Sequence, residues 1–145
     1  MNCNNKDNVW KRYDADMKWY EHIREDVLAA AEEAGVSTRQ LLRLELGFEE
    51  ILVNIISYAY EVPGFVWVKT SEEGGCFRLE FADYGKPFDP FEKDRRPSED
   101  IPLEKREAGG YGIFLVKKNF RSVDYKYEEL FGHMANHISM LLDKG

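Results

Sequence analysis

The chain has 145 residues, of which 43% are hydrophobic, so its length and composition fit one ordinary domain with a real core. Its formal net charge of -7 argues against a nucleic-acid partner, because affinity for phosphate backbones comes mainly from clustered lysine and arginine. Cys3 and Cys76 form neither a disulfide framework nor a zinc cluster, and no apolar run approaches the roughly 20 residues that span a bilayer. We therefore expect a single cytoplasmic domain over residues 1–145, without a membrane partner and with residues 1–7 disordered.

The first part of the chain predicts one edge strand and two helices. Residues 8–13 can add a strand at the edge of a sheet. Residues 17–35 keep a helical spacing of apolar side chains and end on a glycine. Ser37 and Gln40 match a capping box, in which each side chain accepts from the other's unpaired backbone N–H, so a second helix is expected from there to about Tyr60.

The middle of the chain predicts a hairpin followed by a long loop. Residues 65–70 and 76–83 alternate as two strands joined by a glycine-containing turn. Residues 88–108 carry three prolines and many charges of both signs without a sustained period. Loops of this length inside compact domains are usually lids or binding loops.

The last part of the chain completes the predicted fold. A glycine-rich segment opens a short apolar helix over residues 113–119, and residues 123–127 and 134–142 then alternate as two strands. Together these elements predict an α/β two-layer sandwich, in which a mostly antiparallel sheet of four or five strands is covered on one face by three helices.

Glu50 and Asn54 are the first candidate site residues. They lie one turn apart on the second predicted helix, opposite the apolar side that must pack on the sheet. Such a pair is more often a solvated polar stripe than a site, so the pair alone decides little.

Asp83 is the second candidate, because it continues the inward face of the strand formed by Phe77, Leu79 and Phe81. A buried carboxylate needs hydrogen-bond donors. Turn amides can supply them, and so can a ligand amino group such as the exocyclic amine of adenine. Gly85 would let the backbone approach such a base closely, and Pro87 would stiffen the turn.

Gly109, Gly110 and Gly112 form the third candidate segment. A glycine-rich stretch that runs into a helix N-terminus offers backbone N–H groups and a positive dipole end to phosphates. The motif is weak alone, since such a stretch is often only a turn. A Walker A sequence is absent, which excludes the commonest alternative nucleotide cradle.

Three segments in this order resemble the motifs of the Bergerat-fold ATPases, the gyrase and histidine-kinase superfamily. Residues 50–54 (EILVN) resemble the N box, residues 83–90 (DYGKPFDP) the adenine-binding G1 box, and residues 109–116 (GGYGIFLV) the G2 box. The extended G1 and G2 segments are specifically similar to those of the bacterial anti-sigma-factor serine-protein kinases. The likeness covers nearly the whole chain.

The resemblance implies a role for each matching residue. Glu50 would be the general base, Asn54 would ligate Mg²⁺, and Asp83 would accept from the adenine amine of ATP. The remaining ATP-binding positions are Gly85, Pro87, Gly109, Gly110, Tyr111, Gly112 and Ser139, the last standing where the family often has a threonine near adenine. Residues 88–108 would be the ATP lid.

Two positions depart from the family pattern. Ile55 stands where the family usually has alanine, which indicates repacking. Tyr58 stands where a histidine or lysine often lies near the phosphates, which puts phosphate contacts and catalytic rate in question.

The resemblance further implies transfer of the ATP γ-phosphoryl group to a serine of a STAS-type anti-anti-sigma protein, together with sequestration of a sigma factor by a homodimer. One alternative is a catalytically weak or inactive binding module of the same fold, which Tyr58 favours. Another is the detached catalytic domain of a histidine kinase, but no phospho-accepting helix is evident around His22, His133 or His137.

Overall fold

The computed structural model describes residues 9–93 and 110–145. The disorder expected for residues 1–7 and most of the expected lid lie outside the described residues. In the described part, no helix is long and apolar enough to cross a membrane.

The described residues form five strands and three α-helices, and all adjacent strands pair antiparallel in the order β1-β2-β3-β5-β4. The predicted two-layer sandwich is therefore confirmed. In chain order the elements are β1 (Lys11–Asp14), α1 (Tyr20–Glu33), α2 (Thr38–Tyr58), β2 (Phe65–Glu73), β3 (Cys76–Asp83), α3 (Gly110–Asn119), β4 (Ser122–Leu130) and β5 (His133–Asp143). Short 3₁₀ helices cover Met17–Trp19 and Pro90–Lys93.

The core lies between the inner face of the sheet and the apolar side of α2. Alternate residues of β3 and β5 point inward and are almost fully buried, as a strand period of two requires. They pack against a helical stripe in which Phe48 meets Phe81 at a ring separation of 6.0 Å. The buried inward residues are Phe77, Leu79, Phe81, Ile138, Met140 and Leu142. This packing fixes the position of the C-terminal end of β3 and the N-terminal half of β5 relative to α2.

The capping box predicted at the start of α2 is only half correct. The Ser37 hydroxyl accepts from the Gln40 N–H at 3.2 Å, as expected. The Gln40 side chain instead donates to the Asp143 carbonyl at 2.7 Å, and the Ser37 N–H donates to the Lys144 carbonyl at 2.7 Å. Carbonyls at the end of the last strand and just beyond it thus satisfy the helix start and tie the end of β5 to α2.

Candidate functional site

A cavity of about 940 Å³ opens between α2, the segment that follows it and the turn after β3. Of the residues singled out from the sequence, Glu50, Asn54, Asp83, Gly85 and Pro87 all line it. Its size falls within the range of small-molecule binding sites. Two motifs that are well separated along the chain therefore meet at one site, because the hairpin returns β3 beneath α2.

Asp83 is the C-terminal residue of β3 and is only 3% exposed. Its Oδ1 accepts from the Gly85 N–H at 2.8 Å and from the Asn136 side-chain amide at 2.9 Å. Burial raises the pKa of the Asp83 carboxyl, and these two hydrogen bonds oppose that rise. Within residues 9–93 and 110–145, Oδ2 has no hydrogen-bond partner. Asp83 lines the cavity, and its carboxylate keeps one acceptor oxygen that these described partners do not use.

The turn after Asp83 is held tightly against the end of α2. A Cβ at Gly85 would lie 2.5 Å from the Ala59 carbonyl oxygen and 3.0 Å from its Cα, so only glycine allows this approach. The Tyr60 hydroxyl accepts from the Tyr84 N–H at 2.8 Å and donates to the Phe65 carbonyl at 2.6 Å. The backbone beside the open carboxylate oxygen is therefore fixed from two sides.

Asn136 is a site residue that the sequence reasoning missed. It is 3% exposed on the inner face of β5, directly opposite Asp83 in the strand register. A polar residue between apolar inward neighbours, in register with a buried carboxylate, is the signal that could have found it. Its partners are Asp83 Oδ1 (2.9 Å), the Gly85 and Lys86 carbonyls (3.2 and 3.0 Å), the Phe88 N–H (3.0 Å) and the Tyr125 hydroxyl (2.5 Å).

Ser139, which is expected near the adenine, does not line the cavity that Asn54, Asp83 and Gly85 share. Ser139 pairs with Glu80 in the sheet register, which places it on the outer face, away from the helices and the cavity. Its hydroxyl accepts from Arg78 Nη1 at 2.5 Å. Ser139 follows Asn136 by an odd number of positions, and an odd offset in a strand puts two side chains on opposite faces. On this strand Asn136, and not Ser139, lines the cavity.

The polar stripe of α2 is not the solvated face that the helix spacing allowed. Gly47 is buried beneath Phe120, and a Cβ there would lie 2.6 Å from the phenyl ring. Likewise, a Cβ at Gly112 would overlap the Glu50 carboxylate. Because Gly112 has no side chain, the Glu50 carboxylate can pack against the first turn of α3. Burial, followed by the negative charge of Glu49, raises the pKa of Glu50. Around Gly47 and Glu50 the stripe therefore packs against α3 and the Phe120 that follows it, and it carries a half-buried carboxylate there.

The glycine-rich segment enters α3 earlier than the apolar spacing predicted. The helix begins at Gly110 rather than at Ile113. Gly109 and the Tyr111 side chain lie outside the described part of the structure. The first turn of an α-helix carries unpaired backbone N–H groups that favour anions, and the Glu50 carboxylate already lies beside this turn.

The beginning of the expected lid is anchored. Phe91 is 7% exposed within the core cluster, and its N–H donates to Asp89 Oδ1 at 2.9 Å. Pro90–Lys93 form a 3₁₀ turn. Residues 94–109, which include the rest of the expected lid, lie outside the described part of the chain.

Charge in the cavity determines which ligands it can take. Among its described lining residues, Glu49, Glu50, Glu61 and Asp83 are acidic, whereas Lys86 is the one cation. No group of three or more acidic, histidine or cysteine side chains converges into a metal site in the described residues. One amide, Asn54, next to a carboxylate suits Mg²⁺, which keeps several waters and takes few protein ligands beside phosphate oxygens.

The two departures from the family pattern have different surroundings. Ile55 is 4% exposed and belongs to the core, so it is a packing change. Tyr58 is 78% exposed and lines the cavity, so no cation is supplied at that position.

Comparison with known proteins agrees with this fold. No curated protein gives a significant match to the chain. One protein-family model, described as a histidine kinase-like ATPase domain, matches residues 14–141, which is most of the chain and includes all three motif segments. Such a domain binds ATP, and the match indicates ATP-dependent, kinase-like chemistry in general. The chain belongs to the family of histidine kinase-like ATPase domains.

Proposed function

We propose that this chain is an anti-sigma factor and serine-protein kinase that transfers the γ-phosphoryl group of ATP to a serine of a STAS-type anti-anti-sigma protein. The observation that carries the proposal is the cavity itself. It joins a buried carboxylate with one open acceptor oxygen, on Asp83, to a half-buried carboxylate beside a helix N-terminus, on Glu50. The first group suits an adenine amine and the second suits a reacting hydroxyl next to phosphates.

The base would be recognised at the Asp83 wall. Oδ2 would accept from the adenine 6-amino group, while the close contact of Gly85 with Ala59 keeps the turn from filling the space. Phe88, which is 41% exposed, and Pro87 line the same cavity and offer apolar surface to the base or ribose.

The phosphates would lie toward Asn54 and the first turn of α3. The Asn54 amide oxygen would ligate Mg²⁺, which when bound would neutralise charge on the phosphate oxygens and offset the acidic lining of the cavity. Backbone N–H groups at Gly110 and Gly112 would donate to phosphate oxygens.

Glu50 would act as the general base. As the serine oxygen attacks the γ-phosphorus, its proton passes to the Glu50 carboxylate, the bond from the γ-phosphorus to the β–γ bridging oxygen breaks, and ADP leaves. A raised pKa makes the ionised Glu50 carboxylate a stronger base. A placed base typically contributes about 10²- to 10⁴-fold to the rate.

The proposal includes two protein partners and a second copy of the chain. The same homodimer would bind a sigma factor, and phosphorylating the antagonist would keep it from releasing that sigma factor. The cytoplasm is the expected location for all of these proteins.

The decisive experiment measures single-turnover transfer of ³²P from Mg-ATP to a purified STAS-type anti-anti-sigma protein, for the parent and for Glu50→Gln. We expect transfer to fall about 10²-fold or more in the variant, the scale of a lost general base. ATP affinity should change little, since glutamine keeps the shape. Glu45→Gln is the matched control, because Glu45 lies on the same helix but pairs with Arg24 outside the cavity.

Each result has a definite meaning. Transfer at the parental rate by Glu50→Gln would remove Glu50 from catalysis. A parent that binds ATP but transfers nothing to its antagonist would favour the binding-module alternative, to which the exposed Tyr58 already points.

A further inference from the structure

The amide group of Asn136 has only one orientation that satisfies its surroundings. The Phe88 N–H is a donor and nothing else, and it lies 3.0 Å from Asn136 Oδ1, which also lies 2.5 Å from the Tyr125 hydroxyl. The atom facing Phe88 must therefore be the amide oxygen. The amide nitrogen is thereby forced toward Asp83.

The nitrogen end of this amide lies among acceptors. Its two hydrogens are shared by Asp83 Oδ1 at 2.9 Å, the Lys86 carbonyl at 3.0 Å and the Gly85 carbonyl at 3.2 Å. Every hydrogen-bond donor and acceptor position of the amide has a protein partner, so Asn136 itself does not hydrogen-bond to the base. It acts through Asp83.

We propose that Asn136 is a positioning residue that sets base specificity, by occupying Oδ1 of Asp83 with a neutral donor and leaving Oδ2 as the acceptor for a purine 6-amino group. This inference rests on the proposed nucleotide site. A donor at Oδ1 fixes the carboxylate plane, and a neutral donor leaves its negative charge available to the ligand. The chemistry selects a 6-aminopurine over a 6-oxopurine, which presents an acceptor in the same place.

Other ionisable groups around Asp83 do not take over this role. Burial raises the pKa of Tyr60, after α2, and of Tyr125, on β4, and the Asp83 charge adds to the rise in both. Lys86 lies in the adjoining turn. Val66, its partner on β2, carries no charge. Farther along the cavity, Glu49, Glu50 and Glu61 add negative charge. In the part of the chain that the structure describes, the donors to the carboxylate itself are Asn136 and the Gly85 N–H.

Asn136→Asp reverses the expected response to pH. In the parent, preference for ATP should fall as pH drops through the Asp83 pKa, because Oδ1 already accepts two hydrogen bonds and the proton therefore goes to Oδ2, which becomes a donor. In the variant two carboxyl groups face each other, and such pairs hold one proton between them. With that proton in place the introduced carboxyl mimics the amide, and without it the two charges repel. The variant's preference for ATP should therefore fall as pH rises.

The measurement is the ratio of Mg-ATP to Mg-ITP affinity by calorimetry, with the pH lowered stepwise from neutral to the most acidic pH at which both proteins stay folded. Both nucleotides carry the same phosphates, so phosphate titration cancels in the ratio. Loss of packing alone would lower both affinities without inverting the pH trend. A variant ratio that follows the parental trend would overturn the inference. A parent that binds neither nucleotide would instead overturn the proposed nucleotide site.

A milder variant keeps the test decisive if Asn136→Asp does not fold. Tyr125→Phe removes the hydroxyl that donates to the amide oxygen at 2.5 Å and accepts from the Phe88 N–H at 3.1 Å. Tyr127→Phe, the same change two residues along the strand, is its matched control. We expect the ATP-to-ITP ratio to fall about threefold to tenfold for Tyr125→Phe, the scale of one net hydrogen bond, and to stay within about twofold for the control. Equal ratios in the two variants would overturn the role of Asn136.

Discussion

Two buried carboxylates on β3 face opposite sides of the sheet and have different kinds of hydrogen-bond partners. Glu80 is 7% exposed on the outer face, where its oxygens lie 2.8 Å from His137 Nε2 and 3.8 Å from Lys69 Nζ. Asp83, on the inner face, accepts from neutral donors alone among residues 9–93 and 110–145, both on one oxygen. Cationic partners compensate a buried charge within the fold, whereas an open oxygen at a cavity wall leaves part of that compensation to a ligand.

The strongest test removes the charge at each position. Asp83→Asn keeps the size of the side chain but turns an amide N–H toward the incoming amine, so ATP affinity should fall at least about 10²-fold. Glu80→Gln removes the same charge three residues away and should leave ATP affinity within about twofold. Calorimetry on both folded variants decides the matter. Unchanged affinity in Asp83→Asn would reduce Asp83 to a turn residue.

A smaller effect is expected from filling the space between the turn and α2. Gly85→Ala would place a methyl group 2.5 Å from a backbone carbonyl that cannot rotate away, so the free energy of unfolding should fall by about 1–3 kcal/mol. Gly75→Ala, in the hairpin turn between β2 and β3, meets nothing within 4 Å and should change it by less than about 0.5 kcal/mol. Urea unfolding measures both. Equal destabilisation would show that the approach of the turn to Ala59 is not constrained.

Short-range signals made the sheet, the helices and the inward carboxylate predictable. Strand alternation placed Asp83 on the buried face, and the glycine-rich segment identified the start of α3 to within three residues. What failed depended on tertiary partners. The Gln40 side chain donates to the Asp143 carbonyl at the end of β5 and does not accept from the Ser37 N–H. The polar stripe of α2 around Glu50 packs on α3.

The candidate site was predictable in outline but not in register. Motif order could bring α2 and the turn after β3 together, yet it could not align β5 against β3. Asn136 and Ser139 lie three positions apart on β5, so their side chains lie on opposite faces of the sheet, and the family resemblance that points to Ser139 does not reveal this. Only the pairing of Asp83 with Asn136 identifies the second partner of the carboxylate.

The smallest expected effect comes from the outer-face cluster and depends on pH. His137 contacts Glu80 at 2.8 Å and Glu128 at 2.6 Å, and the hydrogen bond to Glu80, then that to Glu128, raises the His137 pKa despite its burial. A histidine with a raised pKa contributes stability that is fully present below its unfolded pKa of about 6.5 and is lost as pH rises through the folded value. The parent should therefore lose stability across this range relative to a variant without the imidazole.

His137→Gln keeps a polar side chain and removes that titration. We expect the free energy of unfolding of the parent to exceed that of the variant by about 1 kcal/mol or less below pH 6.5, with the difference shrinking as pH rises. ATP affinity should be the same in both proteins, since His137 does not line the cavity. Urea unfolding at several pH values, with calorimetry at each, separates the two quantities. If His137→Gln changed ATP affinity as much as stability, the outer and inner faces of the sheet would be coupled, and the distinction between Glu80 and Asp83 would no longer hold.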